Sequence, residues 1–360
     1  MTQTTVTPAI VTIGLDLGDR TVHLCALNGQ REVVARKKLL TTKEALQREL
    51  GALPRTLVVL EAGPQSLWIS TFLRELGHEV LVVDPRRVKL ISQGGRKTDR
   101  RDAETLARLA AGMPELLGVA RHRTLQGQAD LSVMRARDLF VRTRTKWITH
   151  ARGILKAFGV RVGACSAVSF PRKAAVVIPE SLRPALQPIL DMLVELQRRI
   201  DAFDATLAQV VTDRHPAALL LQQVTGVGPI TSAAFVLTIG DPKRFRRSRD
   251  VGSWVGLCPR KQESGDSDPQ LSIAKTGDTF LRRLLVSAAH YIVGPFGPDC
   301  DLRRFGLALA ERGGGNAKKR AVVATARKLA VLLHRLWVTG ATYEPMRTNN
   351  TKATKAKATA

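Results

Sequence analysis

Residues 9–27 read AIVTIGLDLGDRTVHLCAL, and this stretch decides how the first part of the chain folds. Two apolar runs flank the short GDR turn, which makes them a β-hairpin. REVVARKKLL (31–40) supplies a third antiparallel strand. Two further strands, in TLVVLEAG (56–63) and HEVLVVDP (78–85), alternate with the helical stretches TKEALQREL (42–50) and LWISTFLREL (67–76). Three antiparallel strands followed by βαβ units predict a mixed sheet over residues 9–115.

A sheet of that order makes an α/β domain of the ribonuclease H type, and its acidic residues carry the chemistry. Asp16 lies inside an apolar strand, Glu61 closes another, and Asp99 and Asp102 stand in KTDRRDAETLARL (97–109). Positions three apart on a helix share a face, so Asp99 and Asp102 point to one place. A carboxylate within a buried strand must be paired, neutralised or metal-bound. Oxygen donors of this kind suit Mg²⁺ or Mn²⁺, and a metal pair roughly 4 Å apart serves in-line displacement at phosphorus. Structural roles also exist for each residue: an ion pair with Arg20 for Asp16, a helix cap for Glu61, and N-terminal helix acids for Asp99 and Asp102. One metal site accounts for all four together, which makes phosphodiester chemistry the first expectation.

The bulk composition agrees with that expectation. The 360 residues carry 56 Lys+Arg against 31 Asp+Glu, a formal net charge of +25, and 44% are hydrophobic. Such a chain folds as a globular protein and attracts polyanions, with nucleic acid the favoured partner. Its basic residues recur along the whole sequence and are not gathered on one amphipathic segment, which speaks against a membrane-surface protein. Cys25, Cys165, Cys258 and Cys300 are far apart, so neither zinc nor a disulfide framework is expected. No apolar run approaches the roughly 20 residues of a membrane span, and the first residues lack the pattern of a signal peptide. A cytoplasmic, nucleoid-associated protein without a membrane is the expectation.

Past residue 120 the strand signals fade. Residues 120–214 predict long helices: apolar positions from Leu186 to Val210 keep a three-and-four spacing, as in one arm of a helical hairpin that serves dimerisation. The preceding helix carries Arg135, Arg137, Arg142, Arg144, Lys146 and Arg152, either a solvated face or a phosphate-contacting one. Residues 216–345 predict a mostly α-helical domain. In TGVGPITSAAFVLTIGD (225–241), Gly226 and Gly228 form a helix-hairpin-helix-like turn whose backbone N–H groups can approach a phosphate; an ordinary tight turn between helices is the other reading. Residues 346–360 are expected to be a disordered basic tail.

Taken together, these motifs resemble the DEDD insertion-sequence transposases, the IS one-ten and IS eleven-eleven group of bridge-RNA-guided serine recombinases. The resemblance rests on IGLDLGDRTVHLCAL, LEAG and KTDRRDAETLARL in the first half. In the second half it rests on TGVGPITSAAFVLTIGD, RFRRSRDVGSWVGLCPRKQESGDSD (244–268) and IAKTGDTFLRRLLVSAA (273–289). It implies a RuvC-like domain joined to a transposase domain whose serine, Ser264 in PRKQESGD, is the nucleophile. It also implies a composite site shared between subunits, a dimer that assembles to a tetramer on donor and target DNA, and a guide RNA. A serine oxygen that attacks phosphorus conserves the ester energy, so strands can be exchanged without ATP. Ser267 and Ser272 compete with Ser264 for this role. Asp266 and Asp268 place negative charge near it, and Arg260 and Lys275 are the phosphate contacts expected beside it. Trp254 is expected in the core, and none of the seven histidines is assigned a role.

Three other classes are set against this one. A sugar-kinase-like ATPase shares the first hairpin but needs a second such lobe, which the helical half does not supply. A junction-resolving metal nuclease would use water in place of serine. A non-catalytic nucleic-acid-binding protein would tolerate Asp16→Asn and Ser264→Ala.

Overall fold

A computed structural model describes residues 10–85, 87–88, 99–264, 267, 269 and 271–347, with the backbone alone at 99 and 100. The expected tail beyond 347, Asp266 and Asp268 lie outside the described residues. Two compact units divide the chain, 1–125 and 126–360.

In the first unit, β1 (Ile10–Leu17), β2 (Thr21–Asn28) and β3 (Val33–Leu40) form an antiparallel meander. There follow α1 (Lys43–Leu50), β4 (Leu57–Glu61), α2 (Ser66–Glu75), β5 (Glu79–Val83) and α3 (Asp99–Gly112). The sheet order is β3-β2-β1-β4-β5, with β1 to β4 and β4 to β5 parallel. This is the mixed sheet expected of a ribonuclease H-like domain, with the turn at Gly18, whose N–H donates to the carbonyl of Thr21 at 3.0 Å.

Both sheet faces are covered, which is why β1 reads as a nearly continuous apolar run. Ile13, Leu15, Val58, Leu60 and Val82 pack with Leu46 and Leu50 of α1 and Ile69 and Leu73 of α2. Val59 and Val83 face the other way and meet Leu106 of α3, while Cys25 and Leu27 meet Ala103 and Ala107. Thr42 caps α1 by accepting from the N–H of Ala45 at 3.2 Å.

The second unit is helical. Its elements are α4 (Leu125–Ala157), α5 (Phe170–Val177), α6 (Arg183–Arg214), α7 (Ala217–Leu221), α8 (Pro229–Ile239), α9 (Asp250–Trp254), α10 (Thr279–Val293), α11 (Asp301–Glu311) and α12 (Ala317–Thr339). Contacts between α4 and α6 run in opposite sequence directions, Asp130 to Arg214, Arg137 to Asp204 and Phe140 to Phe203, so the two helices are antiparallel. Every residue of α8 from Ser232 to Ile239 is buried, and this helix forms the middle of a core shared with α10 and α12. Trp254 packs into the edge of that core against Phe245, ring centroids 5.6 Å apart.

The basic face expected of α4 is used inside the unit. Arg135 pairs with Asp278, Arg137 with Asp204 and Arg142 with Asp138, while Arg144 donates to Gln197. Arg152 donates to the carbonyl of Val162 at 2.8 Å and lies over the ring of Phe170. All five guanidinium groups thus have partners within the unit: carboxylates for Arg135, Arg137 and Arg142, the Gln197 amide for Arg144 and the Val162 carbonyl for Arg152.

Candidate active site

The strand register places two of the four acids side by side. On the parallel pair β1 and β4, Leu15 lies opposite Leu60, and the next step along both strands sets Asp16 beside Glu61. Both are half-buried at the C-terminal ends of their strands. Alternation puts them on the face opposite Leu15 and Leu60, the face that α3 covers. Open α/β sheets bind ligands at this edge. His23 sits opposite Asp16 on β2, on the same face.

Helix α3 brings Asp102 to that edge. Its C-terminal part lies near the β2–β3 turn, since Arg108 donates to the carbonyl of Arg31 and Gly112 approaches the same residue. Ala103 lies against Gly14, two residues before Asp16. The helix thus runs antiparallel to β1, and its first turn, with Asp99 and Asp102, stands at the end where Asp16 and Glu61 emerge. Asp102 is half-buried; the side chain of Asp99 lies outside the described residues. Among the described residues, no three His, Cys, Asp or Glu side chains gather at coordinating range. The donors at this edge are carboxylate oxygens, the chemistry that fits a hard divalent cation. Glu104, two residues further on, faces Arg36 and Arg108; their hydrogen bonds hold its carboxyl below the usual range.

Ser264 belongs to the second unit, at the tip of an antiparallel hairpin. The hairpin is closed at its base by Ala274 N–H to Cys258 (2.8 Å), in the middle by Arg260 N–H to Ser272 (3.0 Å), and at its tip by reciprocal bonds between Ser264 and Ser267 (3.1 and 3.2 Å). Ser264 and Ser267 are both exposed. The hydroxyl of Ser272 accepts from Arg260 Nη2 at 3.2 Å, which ties that serine to the guanidinium. Arg260 is four residues from Ser264, a reach of at most about 14 Å of chain. Lys275 sits at the base, its N–H on the carbonyl of Gly256 at 3.1 Å and its φ at 55°. The hairpin therefore separates Lys275 from Ser264 along its length.

Between α7 and α8 the two glycines differ. Gly226 has a φ of 83°, and a Cβ there would meet Ile292 Cγ1 at 2.9 Å, so this glycine seats the turn on α10. Gly228 is exposed at the N-cap of α8, and a Cβ would meet nothing within 4 Å.

The sequence reading missed a buried polar group at the root of α4. Asp130, 2% exposed, accepts from Arg214 Nη2 at 2.6 Å and Nε at 3.1 Å, and from Gln126 Nε2 at 3.0 Å. His215 Nε2 lies 2.8 Å from the same carboxylate. Burial opposes ionisation of Asp130, yet hydrogen bonds from Arg214, His215 and Gln126 outweigh it and hold its carboxyl at about 2. His334 is likewise buried, joining Ser248 Oγ at 3.0 Å and the carbonyl of Pro242 at 2.9 Å. Neither histidine stands in a motif; only the fold reveals them.

Known proteins resemble this chain along most of its length. Residues 13–159 match the family of DEDD transposases, and residues 218–299 match the family described as Transposase IS116/IS110/IS902. A probable family 20 transposase of Pseudomonas aeruginosa is 32% identical over 92% of this chain and 98% of its own length. The transposase for insertion sequence element IS1111A of Coxiella burnetii is 27% identical over 92% of this chain and 90% of its own. That for insertion sequence element IS1328 of Yersinia enterocolitica is 30% identical over 78% and 84%. With both halves matched in order and a relative aligned over nearly its full length, the chain belongs to the IS110 family of insertion-sequence transposases.

Proposed function

We propose that this chain cuts and rejoins DNA to excise and insert a mobile element, with its acidic edge and its hairpin serine acting in one reaction. The observation that carries the reading is the placement of Asp16 beside Glu61 at the C-terminal edge of the sheet, with the first turn of α3 at the same edge. In this reading Asp16, Glu61, Asp99 and Asp102 hold Mg²⁺ or Mn²⁺, which when bound offsets the charge that develops on the attacking and leaving oxygens.

Ser264 Oγ attacks phosphorus, and the bond between phosphorus and the neighbouring nucleotide's oxygen breaks. The serine proton is given up and the released DNA hydroxyl gains one. A hydroxyl from another strand then attacks the phosphoserine, forms a new phosphodiester and returns the serine. The exposed position of Ser264 supports this role, because a duplex can reach a hairpin tip. Arg260 and Lys275 along the hairpin, and the N–H groups around Gly226 and Gly228, are proposed to hold backbone phosphates. A net charge of +25 supports polyanion partners, which in this reading are donor and target DNA and a guide RNA. The antiparallel α4 and α6 are proposed to mediate a dimer that assembles to a tetramer on DNA.

Strand exchange between labelled donor and target duplexes tests the reading. Asp16→Asn, Glu61→Gln and Asp102→Asn are each expected to abolish exchange with folding retained; full activity in any two removes the metal site. Exchange that survives ribonuclease treatment without added RNA removes the guide, and hydrolysis without exchange identifies a nuclease that uses water.

A further inference from the structure

We propose that the second unit carries a docking surface for the backbone of duplex DNA, built from the loop Lys243–Arg249 and the exposed side of α12. It rests on the reading of this chain as a DNA-acting transposase and names a surface apart from the acidic edge and the serine hairpin.

The charge is unusual in being left over. From Arg312 through Tyr343 there are seven Lys and Arg residues and no Asp or Glu. Arg320, Arg327 and Arg335 are exposed, and among the described residues none of the three is in an ion pair. This contrasts with α4, whose arginines have partners. Seven and eight residues apart, they fall on one side of the helix, separated by about 10 and 12 Å at roughly 1.5 Å rise per residue.

The loop adds to this stripe. Five of its seven residues are basic, and Lys243, Arg246, Arg247 and Arg249 are exposed. His334, the residue before Arg335, anchors the loop through Ser248 and Pro242, and its ring meets Phe245 edge-on at 5.3 Å. Arg327 lies over α9, its Cγ 2.9 Å from where a Cβ on Gly252 would stand. The acids present are Asp250, 3.7 Å from Arg247, and Asp241, which accepts from the N–H of Lys243. The surface therefore keeps a large excess of positive charge, fixed in place by buried contacts.

Its chemistry selects duplex over single strand. Phe245 and Trp254 are turned onto each other and Arg244 covers Trp254 at 4.8 Å, so these rings offer no stacking platform for unpaired bases. The spacing from Arg327 to Arg335 fits phosphates on the two rims of the roughly 12 Å major groove of B-DNA, whereas the major groove of A-form RNA is narrow.

The test uses full-length protein and fluorescence anisotropy with a blunt duplex DNA of about three helical turns (~10.5 bp each), titrated from about 50 to 200 mM salt. Removing two phosphate contacts by Arg327→Gln with Arg335→Gln should flatten the slope of log affinity against log salt by about 1.8 and lower affinity at least ~10-fold. The control Arg55→Gln with Arg304→Gln removes two arginines paired with Glu79 and Asp299 and should keep the parental slope. An unchanged slope in the α12 variant, with parental circular dichroism, overturns the proposal, as does a loss confined to an RNA duplex of equal length. A flattened slope in the α12 variant of a protein that shows no strand exchange upholds the surface and defeats only the catalytic reading.

Discussion

A Cβ on Gly14 would lie 2.0 Å from the carbonyl oxygen of Ala103 and 2.7 Å from the N–H nitrogen of Ala107, so α3 rests directly on the backbone of β1. That contact sets how far the first turn of α3 stands from Asp16. Gly14→Ala should force the helix off the strand and destabilise the first unit by about 1–3 kcal/mol or more. Urea unfolding measures it; an unchanged midpoint would show that the helix has room to spare.

Asp130 predicts an acid limb. Its carboxyl, ordinarily near 3.8, is held at about 2 in the folded state. A folded value below the unfolded one gives stabilisation that is complete above about pH 4 and is lost as the pH falls toward 2. The shift corresponds to roughly 2 kcal/mol. Asp130→Asn should lower stability at pH 7 by a similar amount and flatten its dependence on pH between about 4 and 2. Equal pH profiles for the parent and the variant would contradict the network.

The two glycines of the turn before α8 should respond differently. Gly226→Ala meets both a left-handed backbone and the side chain of Ile292, and should cost about 1–3 kcal/mol. Gly228→Ala has a φ of −83° and open space, and should leave stability within about 0.5 kcal/mol. If its N–H approaches a phosphate as proposed, Gly228→Ala should weaken DNA binding without lowering the melting temperature. Parental binding would reduce this turn to an ordinary connection between helices.

Divalent cations should stabilise the first unit by mass action on the folded state. Mn²⁺ or Mg²⁺ should raise the melting temperature of the parent protein by a few degrees, and Asp16→Asn with Glu61→Gln should abolish the rise. An equal rise in that variant would place the cation elsewhere.

How much of this was legible follows from the signals involved. Apolar runs broken by GDR and by Gly63 and Pro64 marked β1, β2 and β4, and the acids at strand ends stood out against them. The closeness of Asp16 and Glu61 was not legible, because it depends on the register between β1 and β4, which crosses 40 or so residues of chain. For the same reason His23 was passed over: only the antiparallel pairing sets it opposite Asp16. Charge alone left the face of α4 open between a solvated and a phosphate-contacting one, and it could not show that α6 brings Asp204 and Gln197 against Arg137 and Arg144. The resemblance named Ser264, but the hairpin that carries it to an exposed tip rests on backbone pairing between Cys258 and Ala274, which no pattern in PRKQESGD reveals.

The central claim, that an acidic sheet edge works with a serine nucleophile on DNA, is tested most directly by mass spectrometry of a denatured complex trapped during strand exchange. The account predicts a nucleotide joined to the peptide containing Ser264, absent in Ser264→Ala and absent when Asp16 is replaced by Asn. Cleaved DNA with no adduct at any serine, or an adduct that persists in Ser264→Ala, would contradict it.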